Sequence, residues 1–327
     1  MKNMLLAVLV LLATVQTGCE TQQPKPVPEK VPVQLKWHHQ AQFAGFYIAE
    51  KKGFYGAENI HVSLKSRTPG MSNKQVVDEL VRGESLFAVL GGDSLLTERA
   101  LGAPIVSIAV IFQRNPYAYA TLKGSKIHRP QDFVGKKIML PPDGKLQHAA
   151  LMKKLGLSDN DIEYLPYDRD SDVLSTGKID AQMVYRPGSG LALEDKGRQL
   201  SFIWVEDYGI RLYADTIVTT EKTIKEKPDL VEKFLRASLK GWRYAIENPE
   251  EAVAVTLAMD PALVRDQQMR MLKIQTPLIH TGEHQIGWME QAVWQDMQKI
   301  FRISEDKLNI NSAFSMEFLF RIYGRQE

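Results

Sequence analysis

From Leu35 to Tyr55 the chain reads LKWHHQAQFAGFYIAEKKGFY, and this stretch limits the possible folds more than any other. Leading into it, Val31, Val33, Leu35 and Trp37 alternate with Pro32, Gln34 and Lys36, the period of a short strand with one apolar side. His38, His39 and Gln40 make a polar turn, after which Phe43, Phe46, Tyr47 and Ala49 recur at helical spacing. The order is strand, loop, helix. In an open α/β sheet, ligands bind beyond the carboxyl ends of the strands, where helix N-termini present unpaired backbone N–H groups. Trp37 to Phe43 therefore sits where a ligand would.

The same pattern continues downstream. Ile60 to Leu64 alternates as a strand, and Val76, Val77, Leu80 and Val81 mark a helix that stops at Gly83. Leu86 to Leu90 is apolar throughout and runs into Gly91-Gly92-Asp93-Ser94, a buried parallel strand feeding a capped helix. The two glycines either let a ligand approach the backbone or serve a tight strand-to-helix turn. Pro104 to Phe112 is a further apolar run, expected as a central strand, and Tyr117 to Leu122 is expected as a crossover out of a first lobe. Residues 127 to 212 alternate strands and helices with short links, which calls for a parallel sheet in a second unit. Asp207 to Thr220 is expected to return as an extended segment, followed by helices opened by Pro228, Pro249 and Pro261 and a last amphipathic helix from Ile286 to Phe301.

Length agrees with that division, because 327 residues exceed one typical core and suit two lobes. Basic and acidic side chains number 41 and 39, so no basic excess points to a nucleic-acid partner. The first residues are not read as fold: Lys2 precedes an apolar run from Leu5 to Ala13, and Thr17-Gly18-Cys19 closes it, the layout of a secretion signal over residues 1–18. Cys19 is the only cysteine, which excludes an internal disulfide. Its place resembles the cleavage site of bacterial lipoprotein signals, which implies acylation of Cys19; the bland alternative is a plain signal with an incidental cysteine. Residues 19–32, rich in Pro, Gln and Lys, are expected as a tether.

No catalytic constellation is present in the motifs: there is no G-x-S-x-G turn, P-loop or H-E-x-x-H. His38 and His39 are adjacent and face opposite ways, which argues against a two-histidine metal clamp. His280 and His284 are four apart, but Thr281-Gly282 between them argues for a loop. No metal and no cofactor are expected. What recurs is a set of expected strand ends bearing aromatic or hydrogen-bonding residues: Trp37, Gln42 and Phe43; Asp93 and Ser94; Arg114 and Asn115; Asp143; Tyr185 and Arg186; Tyr213 and Asp215. With Tyr47 as a further aromatic wall, such residues suit a small planar heterocycle that stacks on rings and hydrogen-bonds at its edge.

The run Ala41-Gln42-Phe43-Ala44-Gly45-Phe46-Tyr47 with Trp37 resembles the opening signature of the NMT1/THI5-like family, and the likeness extends through Gly91-Gly92-Asp93, Ala100 to Phe112, Tyr208 to Thr220 and Thr281 to Trp294. The resemblance implies a type II periplasmic-binding-protein fold: two doubly wound α/β lobes joined by two crossovers around a cleft, with lobe 1 at 33–118 and 213–327 and lobe 2 at 119–212. It also implies a monomeric, non-enzymatic solute-binding protein outside the cytoplasm that delivers a thiamine pyrimidine precursor to an ABC permease and its ATPase. The pyrimidine-precursor binders carry an acidic residue where this chain has Arg186-Pro187-Gly188-Ser189-Gly190, so Asp215 or Asp143 would substitute, or Arg186 would select an anion. The enzymatic members' cysteine-rich motif is absent. A pyrimidine-processing enzyme and a sensor for a separate membrane kinase are the rival readings.

Overall fold

The computed structural model describes residues 27–168 and 173–324, without the side chains of Asp143 and Asp159. Cys19 and the expected leader lie outside the described residues. In chain order the first sheet and its helices are β1 (Glu29–Gln34), α1 (Ala44–Lys51), α2 (Phe54–Ala57), β2 (Ile60–Lys65), α3 (Asn73–Arg82), β3 (Phe87–Leu90), α4 (Gly92–Ala100) and β4 (Ile105–Val110). Next come β5 (Tyr117–Leu122), β6 (Lys137–Met139), α5 (Lys145–Leu155), β7 (Glu163–Leu165), β8 (Ala181–Tyr185), α6 (Leu191–Asp195) and β9 (Leu200–Trp204). The chain then returns through β10 (Thr216–Thr220) to α7 (Glu221–Glu226), α8 (Pro228–Glu247), α9 (Pro249–Leu257), α10 (Arg265–Ile279), α11 (Gln291–Ile300) and α12 (Glu317–Tyr323).

The first sheet has the order β2-β1-β3-β10-β4 and the second β7-β6-β8-β5-β9. Residues 111–116 and 205–215 are therefore the two links between the sheets. β1 already pairs with β2 at Glu29, so residues 29–32, expected in the tether, belong to the sheet. Tyr117–Leu122, expected as a crossover, is a strand between β8 and β9 and runs antiparallel to both. The second sheet is consequently mixed rather than parallel: β6, β7, β8 and β9 run one way, and β5 between β8 and β9 enters from the other direction. β4, expected to be central, is an edge strand. It is buried throughout because its outer edge is covered: the Ser107 N–H donates to the Ala313 carbonyl at 2.9 Å, and the Val110 N–H to the Gly287 carbonyl at 3.0 Å.

Local chemistry explains the helix ends. Ser72 and Gln75 form a reciprocal capping box at the start of α3, and Gly83 ends it in the left-handed region at φ 75°. The helix expected from Pro261 begins instead at Arg265, because the Asp260 carboxylate accepts the Ala262 N–H at 2.9 Å and holds a turn there. Apolar periodicity in α8 buries Leu230, Phe234, Leu235, Leu239 and Trp242, and Phe234 stacks on Phe87 of β3 at 4.0 Å. Helix α1 crosses α8 at backbone contact: a Cβ on Gly241 would lie 2.2 Å from the Gly45 carbonyl oxygen, and one on Gly45 would lie 2.2 Å from the Trp242 ring. That close crossing sets where the start of α1, and the turn before it, lie.

Candidate functional site

β1 ends at Gln34, so the strand alternation does not carry on to Trp37. Lys36 and Trp37 instead lie in the bend that follows, and Ala41–Phe43 forms a single 3-10 turn into α1. This turn is held from outside. The Gln268 side chain of α10 accepts the Ala41 N–H at 2.7 Å, and the Gln275 side chain donates to the Ala41 carbonyl at 2.7 Å. With the backbone pinned, Gln42 projects toward Asp215, the residue before β10.

Three side chains from separate segments converge on the carboxylate of Asp215, a residue that is 1% exposed. Lys36 donates to its Oδ1 at 2.8 Å, the Tyr185 hydroxyl donates to the same oxygen at 3.2 Å, and Gln42 Nε2 donates to Oδ2 at 2.8 Å. Gln42 Nε2 also reaches the Tyr185 hydroxyl at 3.3 Å, while its Oε1 accepts from Gln40 at 2.6 Å, which sets the orientation of the Gln42 amide. Tyr185 comes from the end of β8 in the second sheet, so it reaches across to groups belonging to the first. Its ring lies nearly parallel to Phe112 at 6.2 Å, edge-on to Tyr117 at 5.5 Å, and beneath the Lys36 ammonium at 5.3 Å. Burial of a charged carboxylate is sustainable here because Lys36 supplies the opposite charge and two neutral donors supply the rest.

Bonding capacity defines what this cluster offers a partner molecule. A carboxylate has about four lone-pair sites. Among the described residues three are engaged, leaving one at Oδ2, while the Lys36 ammonium uses one of its N–H groups in this network. An acceptor therefore stands beside a cationic donor, with zero net charge between them.

The other expected residues divide by position. Trp37 is half-buried beside His38, at 5.2 Å between rings, at the mouth of the same bend. Tyr47 is buried beneath residues 39–40; its hydroxyl meets His39 Nδ1 at 3.1 Å, and burial pushes its ionisation above the ordinary tyrosine range. His39 is shifted down by burial, against a smaller upward pull from Asp260. Ser94 accepts from Asn73 at 2.7 Å, and Asn73 in turn accepts from Arg67, whose guanidinium also holds the Lys36 carbonyl at 3.3 Å. This chain of bonds supports the bend from behind.

The Asp93 carboxylate folds back over Gly91, where a Cβ would meet it at 2.2 Å. Gly92 answers a packing need: a Cβ there would lie 2.7 Å from the Tyr213 carbonyl oxygen and 2.6 Å from Met297 Cε, so α4 starts hard against the returning link. Asp143 sits in the Pro142–Gly144 turn before α5, its side chain outside the described residues.

Several expected wall residues face elsewhere. Phe43 is fully buried in the core of the first sheet. Tyr213 is buried against Trp294 at 5.2 Å, and its hydroxyl accepts the Glu290 N–H at 2.8 Å. Asn115 spends its side chain on the links themselves: its amide donates to Gln147 at 3.1 Å and to the Ile210 carbonyl at 2.9 Å, and its oxygen accepts the Tyr117 N–H at 3.0 Å. Arg114, exposed, pairs with Glu206, which also takes the Asn115 N–H; burial raises the Glu206 pKa. Arg186 turns back into its own lobe, 3.9 Å over the Phe202 ring and 2.9 Å from Glu194. Sequence reasoning passed over Lys36 as an anchor, because strand alternation drew attention to Trp37; Phe112 and Tyr117 were likewise read only as strand residues.

Two α/β lobes, two links and a cluster bridging the lobes at the strand ends define the type II periplasmic-binding-protein fold. The sulfonate-binding protein SsuA of a putative sulfonate ABC transporter from Methylobacillus flagellatus shares it, with a TM-score of 0.71 at 14% identity over 91% of this chain and 96% of that one. The chain belongs to the NMT1/THI5-like family, whose model matches residues 40–252. Riboflavin-binding protein RibY of Chloroflexus aurantiacus is 24% identical over 94% of this chain and 91% of that protein. The formylaminopyrimidine-binding protein of Halalkalibacterium halodurans is 24% identical over 90% of each. A 4-amino-5-hydroxymethyl-2-methylpyrimidine phosphate synthase of Legionella pneumophila is 23% identical over 72% of this chain and 75% of that protein.

Proposed function

We propose that this protein is the extracytoplasmic solute-binding component of an ABC importer, tethered through an acylated Cys19, and that it takes a small, neutral, planar heterocycle between its lobes. The observation that carries this reading is the convergence of Lys36, Gln42 and Tyr185, from three separate segments and both lobes, on the buried Asp215 carboxylate at the interlobe cleft. The free lone pair on Asp215 next to the Lys36 ammonium suits a ring edge with an N–H beside an oxygen or nitrogen acceptor, as in a cyclic imide or an aminopyrimidine. Zero net charge in the cluster disfavours an organic anion, since a sulfonate or carboxylate would meet Asp215 without an unpaired cation to offset it. The two relatives named for riboflavin and formylaminopyrimidine binding support the heterocycle, while the sulfonate-binding neighbour supports the fold alone.

Isothermal titration of the purified protein with riboflavin, with formylaminopyrimidine and with an alkanesulfonate tests it. Binding of a heterocycle and none of the sulfonate is expected. Sulfonate binding with no heterocycle bound would overturn the reading. The synthase relative favours a second reading, an enzyme that makes the pyrimidine. Against it stand the missing cysteine-rich motif and a Lys36 ammonium committed to Asp215. Incubation with pyridoxal phosphate separates the two, because a binder forms no absorbing lysine adduct.

A further inference from the structure

Away from Asp215, the two lobes meet a second time where α6 packs on α10. Leu191, at the start of α6, is 1% exposed and lies in an apolar cluster whose other members, Ala41, Ala44, Ile48, Ala245, Ala252, Val253, Met271 and Leu272, all belong with the first sheet. Further along the same helix, the charges interlock. Arg270 of α10 reaches Asp195 at 2.5 Å and Glu194 at 3.6 Å, and Gln267 donates to Asp195 at 2.9 Å. Glu194 is held from its own side by Arg186 at 2.9 Å, so its carboxylate stands between a guanidinium of each lobe.

We propose that the α6–α10 contact is a latch that stabilises the closed arrangement of the lobes, and that α10 transmits its state to the ligand-facing turn. The proposal rests on the cleft being the binding site. Its physical basis is the double duty of α10: Arg270 and Gln267 hold α6, while Gln268 and Gln275 of the same helix hold both backbone groups of Ala41, the residue next to Gln42. Opening at α6 exposes Leu191 and takes Asp195 and Glu194 away from Arg270, leaving it Asp266 of its own helix at 3.4 Å. The two glutamines then hold Ala41 from a helix packed on one side only. Closure thus reinforces the turn that carries Gln42, and a ligand held by Gln42 reinforces closure, as reciprocity of coupled equilibria requires.

Hydrogen–deuterium exchange of the full chain, without added ligand, tests the latch. Arg270→Glu places a fourth carboxylate among Glu194, Asp195 and Asp266, and exchange at the Ala41 N–H and across 191–195 is expected to rise about three- to tenfold. Pairing it with Asp195→Arg restores an ion pair in the opposite sense and is expected to return both regions toward wild-type rates. Amides of β3 report on the whole fold and should be unchanged in both variants. Unchanged exchange at Ala41 and 191–195 in Arg270→Glu, or no recovery in the paired variant while β3 stays protected, would overturn the proposal. Because no cargo is added, these outcomes do not depend on which heterocycle, if any, the protein binds.

Discussion

Substituting Asp215 by Asn keeps the shape of the side chain and removes its charge, which makes it a sharp probe of the cluster. Asn has one acceptor oxygen and one donor nitrogen in place of two acceptors. If the oxygen stays with Lys36 and Tyr185, the new amide nitrogen faces Gln42 Nε2, a donor against a donor at the position of a 2.8 Å hydrogen bond. Gln42 cannot turn over to relieve this without losing the 2.6 Å bond its oxygen accepts from Gln40. Lys36 retains a neutral acceptor and is partly exposed, at 21%, so it recovers some hydration. One buried hydrogen bond is thus lost with its partner left unsatisfied, and one charge-assisted bond is weakened, for a cost of about 2–3 kcal/mol. In a protein of this size that corresponds to a fall in Tm of roughly 3–5 °C. Adding Gln42→Glu to Asp215→Asn restores a donor facing an acceptor and returns a negative charge to the cluster, and should recover at least half of the loss. Calorimetric melts of the single and paired variants measure both numbers. A single variant melting within about 1 °C of wild type, or a paired variant no better than the single, would refute the network as described.

Three further outcomes follow from particular contacts. Gly241→Ala should destabilise by about 1–3 kcal/mol in urea titration, because its Cβ would meet the Gly45 carbonyl oxygen at 2.2 Å; an exposed helical glycine would instead gain about 1 kcal/mol on the same change, so the sign decides. His39 has a folded pKa below its unfolded value, so the stability it contributes is present above about pH 6.5 and is lost as pH falls through the folded pKa. Wild-type protein should therefore lose more unfolding free energy between about pH 7.5 and 5 than His39→Gln, with equal losses counting against the assignment. Trp37→Ala should weaken heterocycle binding by about 1–3 kcal/mol in calorimetry with little change in Tm, since the ring is half-buried at the mouth of the bend.

The sequence by itself determined the elements and their order. Apolar period, capping residues and glycine stops place α3, β3 and α8 within a residue or two, because these signals act through local backbone chemistry. Gln42, Tyr185 and Asp215 were legible as polar or aromatic residues at strand ends, where neighbouring helices and strands leave backbone and side chains accessible to one another. Tertiary structure alone decided which strand ends meet. Strand alternation says which way a side chain leaves its own sheet, and it fails in the bend after Gln34, so Lys36 rather than Trp37 reaches Asp215. Phe43, in the turn before α1, and Tyr213, in the link before β10, are as aromatic as Tyr185, yet turn into the core, because the packing of α1 and α11 against them settles their direction and no local signal does. The edge position of β4 and the antiparallel entry of β5 are likewise properties of distant pairing: a buried strand reads as apolar whether a neighbouring strand or a passing loop covers it. Asp215 lies 179 residues from Lys36 and 30 from Tyr185, and only the closing of two lobes around two links brings their charges and rings together.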